Sequence, residues 1–433
     1  MAMQVSVFGL GNLGFPTALA LSARGCIVSG VDIDAERVER INAGENLLPH
    51  EKGLQELLQK SVSEKSFSAT IDAESAVRNA AIHVIVTPVL FTDNNADVST
   101  VEAVARTISK GLKQGDLVII ESSMPPGGTR RLVPLLEESG LKAGKDFFLA
   151  FCPERAYSGS VVSDVLTRFP KIVSGLNKES AERAKAFYGR VCAKGVVLAD
   201  SLEEAECLKL FEGVYRDVNV ALANELSRAA SELGVDYWHL REIERKGTEG
   251  YVDLHKPGPG VGGHCIPIYP KLLLTVLKGD YKLFPLAREL NDAQPQQVVE
   301  LVKRHASSGK ACVLGLAFRG NVREHRNSPA LAVIAGLEHA GFEAWCYDPY
   351  YGADEIERIA GCRGGTLDEC ARGAKVIVVV AGHDEYKRID WAELGAKMAN
   401  RVVVDCRNIV GGLPDGFLLV RLGAAAPLRC SST

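Results

Sequence analysis

Residues 4–34 read QVSVFGLGNLGFPTALALSARGCIVSGVDID. The apolar run Gln4–Phe8 predicts a short strand, the turn Gly9-Leu10-Gly11-Asn12-Leu13-Gly14 follows, and an apolar helix runs on through Thr17–Ser22. Gly25 ends that helix, and Ile27–Val31 predicts a second strand that stops at Asp32. Strand, glycine turn, helix, strand and acid within about 30 residues form a dinucleotide fingerprint. Gly9 permits the tight turn, Gly11 lets backbone approach a pyrophosphate, and Gly14 lets the helix pack on the strand. The helix N-terminus, opened by Asn12 and Leu13, faces the phosphates with the positive end of its dipole. Asp32 can accept hydrogen bonds from a ribose diol and repels a 2′-phosphate, so the expected cofactor is NAD rather than NADP. A glycine-rich structural turn is the alternative. The lone motif is weak, and its context of strand, helix and acid is what makes it informative.

Outward from this unit the alternation continues. Strands are expected at His83–Val86, Leu117–Glu121 and Phe147–Phe151, with helices at Thr100–Gly111 and Thr129–Ser139. Alternating β and α units imply a doubly wound parallel sheet. From about Ser201 the pattern changes. Glu203–Leu233 has no proline and places Leu208, Phe211, Tyr215, Val218, Ala221, Leu222 and Leu226 at helical spacing, which predicts one long helix. Near Ser307 the α/β pattern restarts, with strands at Lys310–Leu316, Glu343–Tyr347, Lys375–Ala381 and Arg401–Val404 and a helix at Ala330–Ala340. The expected fold is α/β, with two Rossmann-like doubly wound lobes, 1–200 and 307–425, joined by a central helical domain, 201–306. The chain after Leu422 is expected to be disordered, with 426–433 set apart as a tail, and the two lobes to resemble each other in plan only. The apolar faces of the long helix exceed what one lobe covers, which points to a homodimer.

The 433 residues carry 50 Lys and Arg against 54 Asp and Glu, a formal net charge of −4. That balance gives no sign of a nucleic-acid partner. No apolar run approaches the roughly 20 residues that span a bilayer, and the N-terminus goes straight into a strand. A cytoplasmic protein with no membrane partner is expected. The eleven cysteines form no CxxC pair. They read as small buried residues of a reducing compartment, and no metal site is expected.

Cys265 is the exception. It closes Pro257-Gly258-Pro259-Gly260-Val261-Gly262-Gly263-His264-Cys265, a density of glycine and proline that is unfavourable unless backbone must approach a ligand. A cysteine there, ahead of the next helix, can be a nucleophile stabilised by a helix N-terminus, or a buried structural thiol. His264 by itself reads as structural. Lys209, in Glu206-Cys207-Leu208-Lys209-Leu210, reads by itself as a paired or snorkelling lysine. Glu154, in Phe151-Cys152-Pro153-Glu154-Arg155, follows a predicted strand. Ligands of open α/β sheets bind at the carboxyl ends of strands, so Glu154 is a candidate site carboxylate, with a surface loop as the alternative.

Together these segments resemble the UDP-glucose/GDP-mannose dehydrogenase family, nearest to its UDP-N-acetylhexosamine branch. The carrying stretches are FGLGNLG (8–14), GVDID (30–34), TP (87–88), ESS with PPGGT (121–129), CPER (152–155) and AECLKL (205–210). Then come YRDVNVALANEL (215–226), PGPGVGGHCIP (257–267), GLAFR (315–319), SPA (328–330) and DCRN (405–408). They run in the family's order over nearly the whole chain. The resemblance implies oxidation of a sugar C6 hydroxyl to a carboxylate with two NAD, through a cysteine thiohemiacetal and thioester. It makes Cys265 the nucleophile, Lys209 the stabiliser of developing oxyanions, and Glu154 a carboxylate beside sugar and nicotinamide. It places Thr87, Pro88 and Arg326 at the cofactor, and Arg155, Arg216, Gly262 and Phe318 at the nucleotide-sugar substrate.

The chain also departs from that pattern. Tyr269 stands where the family has an aspartate, four residues after the cysteine, and Gly213 where it has an asparagine, one helical turn after the lysine. Ser123 replaces a threonine, Arg319 a lysine, and Arg323-Glu324-His325-Arg326-Asn327 replaces an acidic pattern. Glu249 and Tyr251 stand where the hexosamine branch has His-Pro-Arg. Three functions are compatible with this set: a four-electron dehydrogenase making a uronic acid, a two-electron oxidoreductase stopping at an aldehyde or ketone, and a catalytically silent NAD/nucleotide-binding protein. Keeping Cys265, Lys209 and Glu154 together argues against the third.

Overall fold

The computed structural model describes residues 2–92, 95–249 and 251–430. Packing divides the chain into two compact units, Met1–Glu212 with Lys271–Lys278, and Gly213–Pro270 with Gly279–Thr433. The stretch 201–306, expected as a helical middle, contributes to both, because one continuous helix begins in the first unit and continues into the second.

The first unit holds strands β1 (Gln4–Phe8), β2 (Ile27–Val31), β3 (Phe67–Thr70), β4 (Ile82–Ile85), the hairpin β5 (Leu90–Thr92) and β6 (Asn95–Asp97), then β7 (Leu117–Ile120), β8 (Phe148–Phe151), β9 (Lys171–Gly175) and β10 (Val196–Leu198). Apart from the hairpin they form one sheet in the order β10-β9-β8-β7-β4-β1-β2-β3, parallel except between β8 and β9. Helices cover both faces of such a sheet, so its central strands β7 and β8 are wholly apolar and every residue of them is buried. The helix Gly14–Ala23 is apolar nearly all round, and its residues Gly14 to Ser22 are buried. The chain order reverses at β1, where the carboxyl ends of neighbouring strands open the crevice that binds ligands in this class of sheet.

In the second unit β11 (Gly309–Leu314), β12 (Phe342–Tyr347), β13 (Arg363–Gly364), β14 (Val376–Val379), β15 (Val402–Asp405), β16 (Leu418–Arg421) and β17 (Leu428–Arg429) pair in the order β13-β12-β11-β14-β15-β16-β17. All are parallel but the last pair. The order around β11 repeats the order around β1, with the following strand on one side and a later one on the other.

The long helix spans Leu202–Glu232, 31 residues. Ala205, Glu206, Leu210, Ala221, Ala223 and Ala230 are buried, whereas Leu208, Phe211, Tyr215, Leu222 and Leu226 are exposed.

Two expectations are corrected. The segment 129–139 is not one α-helix: 3-10 turns at Arg130–Leu132 and Glu137–Ser139 flank a single α-turn, Val133–Leu136. Pro134 has no N–H to donate, and its ring opposes the carbonyl four residues back. Nor is the tail disordered after Leu422. Leu428–Arg429 pairs with Leu418–Leu419, and Cys430 N–H donates to Phe417 O at 3.0 Å. The edge of β16 presents unpaired backbone groups, which the returning chain satisfies. Residues 431–433 of the expected tail lie outside the described residues. Among the described residues no helix is long and apolar enough to cross a membrane.

Candidate functional site

The glycine turn is built as its sequence requires. Gly9 has φ +95°, and its N–H donates to Val31 O at the end of β2. A Cβ on Gly14 would lie 1.8 Å from Gly9 O, so only glycine lets the helix start there. A Cβ on Gly11 would meet nothing within 4 Å, so this side of the turn is open. Asp32 Oδ2 accepts from Leu10 N–H at 2.8 Å, and its Oδ1 accepts from Asp34 N–H at 3.0 Å. Arg37 Nη1 lies 3.3 Å from Asp32 Oδ2. Each carboxylate oxygen has two acceptor sites, so the acid retains capacity for a ribose diol. Asn12 and Leu13 are half-buried between Gly11 and the helix. Thr87 sits against the turn, its Cγ2 3.4 Å from a Cβ placed on Gly9, and Ser122 Oγ donates to Thr87 O at 2.6 Å. Thr100 Oγ1 donates to Pro88 O at 2.6 Å. An open cradle for a pyrophosphate and an acid for a ribose suit NAD.

Glu154 lies just past the carboxyl end of β8 and is buried. Its Oε1 accepts from the N–H groups of Arg155 and Ala156, both at 2.7 Å, and its Oε2 accepts from Lys171 Nζ at 3.0 Å. Burial works to raise the Glu154 pKa, but Lys171 and the backbone donors bring it below the usual carboxylate value. Lys209 Nζ donates to the backbone oxygen of Glu154, so the two candidate residues meet. Arg155, expected at the substrate, makes a bidentate pair with Glu212, at 3.2 and 2.6 Å. Glu206, one helical turn before Leu210, accepts from Gly127 and Thr129 N–H at 2.6 and 2.8 Å. This ties the AECLKL segment to the PPGGT loop.

In the second unit Cys265 is half-buried. The helix after it begins at Tyr269 and has six residues. Charged side chains also surround the thiol. His264 hydrogen-bonds to Cys265. Burial acts to lower the histidine's pKa, and the charge and hydrogen bond of Cys265 raise it above the ordinary value. Arg326 Nη2 lies 3.4 Å from His264 Nδ1, and Glu324 holds Arg326 by bonds of 2.8 and 2.6 Å. His264 is therefore a neighbour of Cys265 in side-chain contact as well as in sequence. Only its adjacency to Cys265 hinted at this, and a neighbour in sequence need not be a neighbour in side-chain contact.

The glycines before Cys265 have a local reason. A Cβ on Gly262 would lie 2.6 Å from Asn327 O and 2.7 Å from Phe318 Cβ. Gly263 N–H donates to Arg326 O at 3.0 Å, and Asn327 Nδ2 donates to Gly263 O at 3.0 Å. The loop is pressed against its own unit, so its glycine content reflects chain meeting chain as well as any ligand. Phe318 is half-buried against this loop, and Arg216 is half-buried on the long helix. Arg407, quoted in DCRN without a role, donates to Val380 O at 2.7 Å and Phe318 O at 3.3 Å, and so supports Phe318 from behind.

The two main departures prove to be one feature. A Cβ on Gly213 would lie 2.1 Å from Tyr269 Cδ2. Tyr269 is buried, 5% exposed, and its ring fills the space a side chain at 213 would need. An asparagine at 213 would force the Tyr269 ring or the backbone beside it to shift.

Three family models match the chain: the UDP-glucose/GDP-mannose dehydrogenase family NAD binding domain over residues 3–192, its central domain over 203–293, and its UDP binding domain over 312–412. The chain is 36% identical to the UDP-N-acetyl-D-mannosamine dehydrogenase of Methanocaldococcus jannaschii, covering 97% of this chain and 96% of that one. It is 32% identical to an NDP-N-acetyl-D-galactosaminuronic acid dehydrogenase of Ralstonia nicotianae, covering 94% and 96%. The solved structure of the UDP-D-ManNAc dehydrogenase from Pyrococcus horikoshii superposes with a TM-score of 0.89 at 31% identity, covering 98% of this chain and all of that one.

Proposed function

Since the chain belongs to the UDP-glucose/GDP-mannose dehydrogenase family, we propose that it oxidises the C6 hydroxyl of a UDP-N-acetylhexosamine, UDP-N-acetylmannosamine first among them, to the uronic acid. The chain is an NAD-dependent nucleotide-sugar dehydrogenase. The likeness to mannosamine and galactosaminuronic relatives alike supports the N-acetylhexosamine class.

The observation that carries the cysteine chemistry is the Cys265–His264 pair, with Arg326 beside it. Imidazolium stabilises a thiolate, and a thiolate is the reactive form. NAD, held by the Gly9–Gly14 turn and Asp32, would supply the hydride acceptor for two oxidations. The first turns the C6 alcohol into an aldehyde. The Cys265 sulfur adds to the aldehyde carbon, and the resulting thiohemiacetal carries the second hydride. Its loss leaves a thioester, and water then displaces the sulfur to give the carboxylate. The sum is one alcohol, two NAD and one water giving one carboxylate, two NADH and three protons. Lys209 stabilises the oxyanions by charge. Glu154 is the fixed carboxylate beside the reacting carbon, and Arg155, Arg216, Gly262 and Phe318 contact the nucleotide sugar. A homodimer in the cytoplasm completes the reading. The exposed Phe211, Tyr215, Leu222 and Leu226 support a dimer, and a monomeric sedimentation profile at micromolar concentration would overturn it.

One observation favours a second reading. With Tyr269 buried against Gly213 there is no carboxylate at 269 to activate water, and an unperturbed tyrosine, pKa about 10, is a poor base. A two-electron enzyme results where the aldehyde leaves before the second hydride transfer, whereas failed hydrolysis alone leaves a stalled Cys265 thioester after two NADH. Incubation with a panel of UDP-, GDP- and TDP-sugars and NAD, with NADH counted per product, separates the two. Two NADH per uronic acid are expected, together with a Cys265 adduct visible by intact-protein mass spectrometry. Cys265→Ser should block the second oxidation. One NADH per product, no adduct and a fully active Cys265→Ser would sink the thioester route.

A further inference from the structure

Glu121, Glu154, Lys171 and Tyr188 meet inside the first unit, and the chemistry above uses only Glu154. Lys171 is 7% exposed, Glu121 2% and Tyr188 1%. A lysine so deeply buried needs partners, and this one has two. Its Nζ lies 2.6 Å from Glu121 Oε1 and 3.0 Å from Glu154 Oε2. The ammonium also lies 5.0 Å from the centroid of the Tyr188 ring, and Tyr188 OH donates to Glu121 Oε1 at 2.5 Å. Glu121 Oε2 has no partner among the described residues. The three supporting groups come from three elements: the end of β7, β9, and the helix Lys178–Val191.

We propose that Lys171, braced by Glu121 and Tyr188, is the positioning residue that holds the Glu154 carboxylate in one orientation and as an anion. The proposal rests on the reading of Glu154 as the site carboxylate. The geometry is that of a clamp: two backbone N–H groups fix one oxygen of Glu154 and the ammonium fixes the other. The titratable and charged groups that face this cluster are Lys171 on β9, Glu121 past β7, Cys152 past β8, Tyr188 and Cys192 on and after the helix Lys178–Val191, Lys209 on the long helix, and Arg155 and Asp164, which line the same cavity. Burial pushes Glu121 up, whereas Lys171 holds Glu154 down against its burial. The ammonium counters the desolvation that acts on both carboxylates, and a buried pair is weak evidence for a stability role.

The sign follows from linkage. Without the ammonium the anion of Glu154 is disfavoured and its pKa rises. Activity that depends on that anion is then lost at a higher pH on acidification. The test is the pH profile of kcat/KM for the full chain, with NAD and the nucleotide sugar it oxidises. Lys171→Met should move the acid limb up by about one pH unit or more, and Lys171→Arg should return it toward wild type. Glu121→Gln should leave the limb at or below the wild-type position, since it removes a competing carboxylate. If Lys171→Met does not fold, Glu121→Gln/Lys171→Met leaves Glu154 as the one carboxylate of the cluster without its ammonium and should show the same upward shift. The raised limb should vanish when Glu154→Gln is added. If it persists there, the reading of Glu154 falls and the brace with it. If the limb stays at the wild-type pH in both variants lacking Lys171, the brace alone is overturned.

Discussion

Asp32 and Asp348 stand at the same place in two copies of one turn, and they are used differently. In the first unit Gly9, φ +95°, donates to Val31 O and Leu10 N–H donates to Asp32. In the second, Gly315, φ +102°, donates to Tyr347 O, and Leu316 and Ala317 N–H donate to Asp348 at 2.8 and 3.0 Å. The lobes were expected to agree in plan only, yet they agree in the hydrogen bonds of the turn. What differs is what fills the space around it. Asp32 keeps acceptor capacity beside the open face of Gly11. Asp348 is buried, and it also accepts from Tyr350 N–H at 2.9 Å and pairs with His383 at 3.1 Å. The second unit repeats this habit elsewhere. Phe318 and Asn327 crowd Gly262, and Tyr269 crowds Gly213. A repeated backbone device becomes a cofactor site only where the chain leaves it unfilled.

That contrast can be broken at Asp348 first. Asp348→Ala leaves three backbone N–H groups and a buried histidine without their acceptor. It should lower stability by on the order of 3 kcal/mol or more, read by denaturant unfolding. A loss as small as that of Asp32→Ala would erase the distinction. The next test is at the filled glycine. Gly213→Asn should destabilise by about 1–3 kcal/mol through overpacking against Tyr269, and adding Tyr269→Asp should recover most of it. If hydrolysis limits turnover, the double variant should also release product faster than wild type, by rapid-quench assay, whereas no recovery would mean that the two positions are independent. The smallest effect is expected at Asp32. Asp32→Ala should change stability by about 1 kcal/mol while narrowing the NAD-over-NADP preference by about tenfold. Arg37, released from its pair with Asp32, then faces the 2′-phosphate. Calorimetry with both cofactors measures this, and an unchanged ratio would mean that Asp32 does not set the preference.

Much of this was legible in the residue order because it depends on local chemistry. The run from Gln4 to Asp32 specifies its turn by steric demands that glycine alone meets, and the structure returns strand, turn, helix and strand within a residue or two at most ends. The proline-free stretch expected as Glu203–Leu233 is a helix over Leu202–Glu232. Pro134 was equally visible, but a single proline does not say whether a helix kinks or dissolves into 3-10 turns, and packing made it the latter.

The sequence by itself determined the alternation of elements, the nucleotide turn and the order of the family segments, since periodicity and glycine sterics act between near neighbours. Only the tertiary structure decided which distant side chains share a space. It set Lys171 between Glu121 and Glu154. It made His264 and Arg326 the company of Cys265. It showed Gly213 and Tyr269 to be two halves of one substitution, and it drew the tail into the sheet at β17. Each of these joins residues far apart in the chain or turns on side-chain direction. Burial and charge act through space, and the residue order does not record which groups will meet there.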